Sequence, residues 1–120
     1  MERRTYPRVE VSQAVLYVSH LYPRHKVANT VDLSLGGTGI ETPYSLIKGE
    51  TLQISIALRP EVIKCGGQVV HTLWRDGQKL KAGIQFEGMS EGDRLYLKQY
   101  LFHVMERQAT ESLSSEKTPH

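Results

Sequence analysis

Two short stretches hold the side chains with the most chemistry to offer. The first, "ERRTYPRVEV" at residues 2–11, places Arg3, Arg4 and Arg8 within the first eight positions of a 120-residue chain whose net charge is only +2. Each guanidinium can grip a phosphate, or the O6/N7 edge of a guanine, through two parallel hydrogen bonds, a fork that lysine cannot copy. Pro7 disfavours helix for the residue before it and has no N–H to donate, so the segment reads as extended or turned. The even spacing of Arg4 and Arg8 then leaves both able to face one side. The second stretch, "DLSLGGTGI" at residues 32–40, combines an aspartate, a serine two residues on and a run of glycines. A short carboxylate and a hydroxyl there stand beside backbone that can be approached closely. The carboxylate of Asp32 can accept both the N1–H and N2–H₂ donors of a guanine. Taken singly, each stretch has a plainer explanation. Basic residues at a terminus are commonly a solvated face, and Asp32 and Ser34 could simply cap backbone groups in a strand-turn-strand.

Other chemistries find no support. His20 and His25 miss the usual zinc-helix spacing, His71 and His103 lack an acidic or cysteine partner at ligand spacing, and there is no HExxH or CxxC. Cys65, in "VIKCGG", reads as a packed thiol without a positioned histidine, and Ser34 lacks the Gly-x-Ser-x-Gly elbow of hydrolases. No catalytic constellation emerges, so the chain reads as a binding protein rather than an enzyme, with no metal and no cofactor. Fifteen Lys and Arg against thirteen Asp and Glu give too weak a global field to recruit nucleic acid, so any anion preference must be local. The single cysteine excludes an intramolecular disulfide, and neither a signal peptide nor a membrane span is visible. The expected setting is cytoplasmic, with no membrane or nucleic-acid partner.

The elements that must position these residues are mostly strands. From Val9 to Phe86, short apolar segments alternate with glycine, proline and polar breaks. "TLQISIAL" alternates most cleanly, with Leu52, Ile54, Ile56 and Leu58 on one face. In "SQAVLYVSH", Ala14, Leu16 and Val18 share one face and Val15, Tyr17 and Ser19 the other. Arg75-Asp76-Gly77-Gln78 is a hairpin signal. About six strands at this spacing favour a small barrel or sandwich. After Ser90, a plausible N-cap followed by Glu91 and Asp93, the apolar positions Leu97, Tyr100, Leu101, Val104 and Met105 take on helical spacing. Residues 108–120, "QATESLSSEKTPH", hold one leucine and no aromatic, and read as a disordered tail.

Together, Arg4-x-x-x-Arg8 and Asp32-x-Ser34-x-x-Gly37 resemble the two-part signature of the PilZ domain family, bacterial receptors for cyclic di-GMP. "AGIQF" is similar to the family's final-strand motif, and the likeness extends over residues 2–105. It implies a six-stranded antiparallel β-barrel with one C-terminal helix, filling residues 1–107, with residues 1–10 as a mobile arm that folds over the ligand. It further implies that Arg4 and Arg8 bind phosphate and guanine, that Asp32 and Ser34 hydrogen-bond guanine and neighbouring groups, and that Gly37 allows a close turn. Arg3, just before the first motif arginine, is associated in the family with an intercalated ligand pair, so one or two cyclic di-GMP molecules are expected. Trp74 and Lys81 are further candidates for ligand contact. The implied role is a receptor that passes its signal to an effector protein. Two rival readings are a PilZ-like interaction module that binds no nucleotide, and a small nucleic-acid-binding barrel using its arginines with Tyr6, Tyr17 and Trp74.

Overall fold

A computed structural model describes residues 6–75 and 77–117, with side chains to residue 111. Six strands, β1 (Ala14–Ser19), β2 (His25–Leu33), β3 (Gly37–Thr42), β4 (Thr51–Leu58), β5 (Glu61–Arg75) and β6 (Lys79–Glu87), precede one helix, α1 (Glu91–Lys117). All neighbours are antiparallel and the sheet closes in the order β1-β2-β3-β6-β5-β4. Closure removes most unpaired strand edges and encloses a core of Val15, Ile40, Leu52, Ile54, Ile56, Leu58, Ile63, Val69, Leu80 and Ile84. The turn at Arg75 forms as its sequence implies, with Gly77 at φ 68° and the Gln78 amide donating to the Arg75 carbonyl.

In β4 the alternating leucines and isoleucines all point inward. In β1 the inward face is Val15, Tyr17 and Ser19, although Ala14, Leu16 and Val18 form the more uniformly apolar one. Polar groups are tolerated inside because they are paired. The Tyr17 and Thr42 hydroxyls hydrogen-bond at 2.8 Å, and the Ser19 hydroxyl donates to the buried carboxylate of Glu50.

The helix begins as expected, with the Asp93 amide donating to the Ser90 hydroxyl at 3.1 Å. Asp93 in turn accepts from the Lys64 backbone N–H at 2.9 Å, fixing this end of α1 against β5. Leu97, Leu101 and Val104 enter the core, and Tyr96 donates to the Leu58 and Arg59 carbonyls. At its far end the structure departs from the sequence reading. The segment assigned to a disordered tail from residue 108 continues α1 to Lys117. Residues 108–117 contain no glycine or proline and include Ala, Gln, Glu, Leu and Lys, which carry little helix penalty, and the Gln108 side chain reaches back to the Glu10 carbonyl. Composition measured what the segment could bury, whereas its attachment to an already packed helix removes the nucleation cost. Among the described residues no helix is long and apolar enough to cross a membrane.

Burial has a consequence at high pH. The Cys65 thiol is pushed up to about 11 by desolvation, with the Asp93 charge adding to the shift and a backbone hydrogen bond at Glu87 opposing it. Tyr17 is also raised, chiefly by burial. A proton held more tightly in the folded state gives stability that is complete below the unfolded thiol's pKa near 9.0 and is lost as pH rises toward 11. The loss from Cys65 amounts to about 2–3 kcal/mol at 1.36 kcal/mol per unit. Melting temperature should therefore fall through this window, and less steeply in Cys65→Ala. Equal slopes for the two proteins would show that the thiol contributes nothing.

Candidate functional site

The strand β2 presents Asp32 through an interruption in its own alternation. Ala28 and Thr30 point inward, so an unbroken strand would bury Asp32 and expose Leu33. A register shift between Thr30 and Asp32 reverses this: Leu33 is fully buried and Asp32 stands at the surface, with its side chain 22% exposed. An extra residue in the ladder thus aims the carboxylate out of the barrel.

Arg8 meets it there. Val9 and Leu33 exchange backbone hydrogen bonds, both 2.9 Å, so the last part of the N-terminal segment is a short bridge along β2 with Val9 in the core. This places Arg8 Nη1 2.6 Å from Asp32 Oδ1, the one ion pair among the described residues. Asp32 Oδ1 also accepts the Gly39 N–H at 2.8 Å. The Arg8 Nε is buried without a hydrogen-bond partner among the described residues. Arg3 and Arg4 lie outside the described residues.

Ser34 is nearly fully buried, and its hydroxyl is engaged within the turn. It accepts from the Gly36 and Gly37 amides at 3.2 Å each, and lies 3.3 Å from the Gly37 carbonyl as donor. Its contribution here is to hold the glycine turn beside Asp32. Gly37 is required for space rather than for a left-handed backbone. A Cβ built on it would overlap the Ile84 carbonyl oxygen of β6, and the positive-φ glycines are elsewhere, at Gly49, Gly77 and Gly88.

Among the described residues neither Trp74 nor Lys81 hydrogen-bonds to the Arg8–Asp32 pair. Gly39, whose amide donates to Asp32, pairs with Gly83, and Lys81 is two residues further along β6, opposite Glu41. At about 3.3 Å per residue, Lys81 is roughly 7 Å along the strand from that point. Trp74 lies beyond it, opposite Leu80 on the outer half of the β5–β6 hairpin. Conversely, sequence reasoning passed over Gly39 and Thr38. Thr38 donates its hydroxyl to the Asp32 carbonyl at 2.6 Å, and both residues hold the bulge in shape. Gly39's place in the run "GGTGI" was the available signal.

The arrangement joins a guanidinium, a carboxylate and a close-approach backbone turn on one patch of barrel surface, a set of groups suited to a ligand with both anionic and guanine-like edges.

Comparison with known proteins gives the same architecture. Among curated proteins none matched by sequence. Among solved structures, the inhibitor of motility MotI/DgrA of Bacillus subtilis aligns with a TM-score of 0.77 at 21% identity, covering 89% of this chain and 53% of that one. YcgR of Escherichia coli, in complex with c-di-GMP, aligns at 0.77 and 22% identity, covering 97% and 51%. The PilZ domain of YcgR with c-di-GMP aligns at 0.69 and 20%, covering 98% and 100%. The chain spans about half the length of the first two. At the level of sequence families, the PilZ domain matches residues 2–103, a span that takes in both arginine and aspartate-serine-glycine motifs, all six strands and the first half of α1 with Leu97 and Leu101. The chain therefore belongs to the PilZ domain family.

Proposed function

We propose that this protein is a non-enzymatic receptor for cyclic di-GMP that relays occupancy of the site to a partner protein. The observation that carries the proposal is the Arg8–Asp32 pair, turned outward by the β2 bulge and set beside the Ser34–Gly37 turn of a PilZ barrel. Cyclic di-GMP is a dianion with two guanines, so it needs a few concentrated guanidinium forks and an acceptor for a Watson–Crick edge, not a globally basic surface. YcgR, which shares the fold, is known in complex with this ligand. Arg3 and Arg4 supply further forks, and one or two ligand molecules are accommodated according to how many of them engage. The segment before Val9 orders over the ligand, changing the surface offered to the partner.

Isothermal titration of cyclic di-GMP into the full chain, beside Arg8→Ala, tests this. A saturable site is expected, competed poorly by GMP, with affinity reduced by more than tenfold in the variant, since charge-assisted bonds contribute about 1.5–3 kcal/mol each. The absence of binding by the unaltered chain would refute the receptor role and leave a protein-interaction module. Steep salt dependence on long nucleic-acid polymers would instead favour the nucleic-acid reading.

A further inference from the structure

The β6–α1 connection builds a second wall beside the motif turn. Gly88, at φ 68°, turns the chain out of β6, and the Phe86 amide donates to the Gly36 carbonyl at 2.9 Å, tying this end of β6 to the glycine turn. The Ser90 cap and the Asp93–Lys64 bond then fix the first turn of α1, which carries Arg94. Arg94 comes to lie across a cavity of about 360 Å³ from Gly36, with Gln85, Phe86 and Met89 among its lining. That volume lies within the range of small-ligand sites.

Arg94 is held but not neutralised. Its Nη2 donates to the Tyr6 hydroxyl at 3.3 Å, its guanidinium carbon lies 5.8 Å from the centre of the Tyr6 ring, and it has no carboxylate partner among the described residues. Tyr6 itself rests on Gly36, with Cδ2 2.9 Å from where a Cβ would stand. It lies between the two motif arginines in sequence. A planar cation, an aromatic ring and the open face of the Ser34–Gly37 turn therefore share one cavity.

Resting on the cyclic di-GMP reading above, we infer that Arg94 is a further ligand-contacting residue, stacking its guanidinium on a guanine base in this cavity, with Tyr6 as the positioning residue that keeps the fork in place. Bases stack on guanidinium planes and aromatic rings alike, and the uncompensated charge suits the dianion. Gln85, paired with Gly37 across the β3–β6 ladder, stands at the same cavity with an amide able to hydrogen-bond a base edge. Because Arg94 belongs to α1, occupancy of the cavity acts directly on the helix.

The test titrates cyclic di-GMP into the full chain, Arg94→Gln, Arg94→Lys and Arg8→Ala, with ligand-free melting curves for each and the Arg94 Nε–Hε resonance followed by NMR in the unaltered chain. We expect Arg94→Gln to weaken binding about tenfold with an unchanged ligand-free melting temperature. Arg94→Lys should recover little of the loss, because it restores charge without the plane. The Arg94 resonance should shift on saturation. Unaltered affinity in Arg94→Gln while Arg8→Ala loses binding would overturn this assignment and leave the receptor reading intact. Failure of the unaltered chain to bind would overturn both.

Discussion

Gly37→Ala should lower the melting temperature by roughly 10–20 °C, whereas Gly36→Ala, one residue earlier, should leave it nearly unchanged. At Gly37 the added methyl meets backbone: it overlaps the Ile84 carbonyl oxygen and comes within 3.3 Å of the Ile84 carbonyl carbon and 3.4 Å of the Gln85 Cα. Those atoms belong to the central β3–β6 ladder and cannot retreat without opening the barrel. Overpacking costs about 1–3 kcal/mol, and an unyielding neighbour puts this case at the upper end. With about 4–8 °C per kcal/mol for a domain somewhat smaller than this one, the stated drop follows. At Gly36 the methyl meets only the Tyr6 ring, which can swing away. Thermal unfolding followed by circular dichroism, without ligand, separates the two. If both variants melted with the unaltered protein, the close crossing of β3 and β6 at Gly37 would not be a constraint on folding.

The second large effect is expected on binding. Asp32→Ala should weaken cyclic di-GMP by more than a hundredfold and also lower the ligand-free melting temperature by a few degrees. Asp32 Oδ1 is the common acceptor for Arg8 Nη1 and the Gly39 amide. Removing it strands a guanidinium whose Nε lacks a partner among the described residues, and the buried N–H of Gly39. Each unsatisfied buried donor costs about 1–3 kcal/mol, reduced for Arg8 because its side chain is partly solvated. The ligand loses the acceptor for a guanine edge and the carboxylate that orients Arg8, two charge-assisted contributions whose sum exceeds the roughly 2.7 kcal/mol of a hundredfold change. Asp32→Asn should fall between, since its amide oxygen still accepts from Gly39 while its NH₂ opposes the guanine donors. Titration calorimetry on the three proteins reads this directly. Undiminished affinity in Asp32→Ala would remove the carboxylate from the site.

How much of this was legible depended on the kind of information each feature carries. β4 was readable outright because its two faces differ sharply in polarity, so only one could enter the core. β1 was readable as a strand but not as to orientation. Both of its faces are apolar enough, and the choice of Val15, Tyr17 and Ser19 depends on Thr42 and Glu50, which closure of the barrel brings from β3 and the loop before β4. Alternation defines two faces, and partners distant in sequence decide which is inside. The bulge in β2 was similarly hidden. Nothing local in "NTVDLS" says that Asp32 turns outward, yet a single shifted register does so and thereby makes the site.

The end of α1 shows the opposite limit, because composition judged residues 108–117 as if they stood alone and the structure extends them from a helix already anchored by Leu97, Leu101 and Val104. The sequence by itself determined the residue types of the binding motif, their spacing, the strand-rich class and the start of the helix, since these rest on local chemistry: fork geometry, turn residues, polarity alternation and capping. Only the tertiary structure decided that Arg8 reaches Asp32 across 24 positions, that Gly37 is demanded by space against β6 rather than by a turn, and that Arg94 shares a cavity with Gly36 of the motif turn. These are relations between segments far apart in the chain, and closure of the barrel with its capping helix is what brings them within reach of one another.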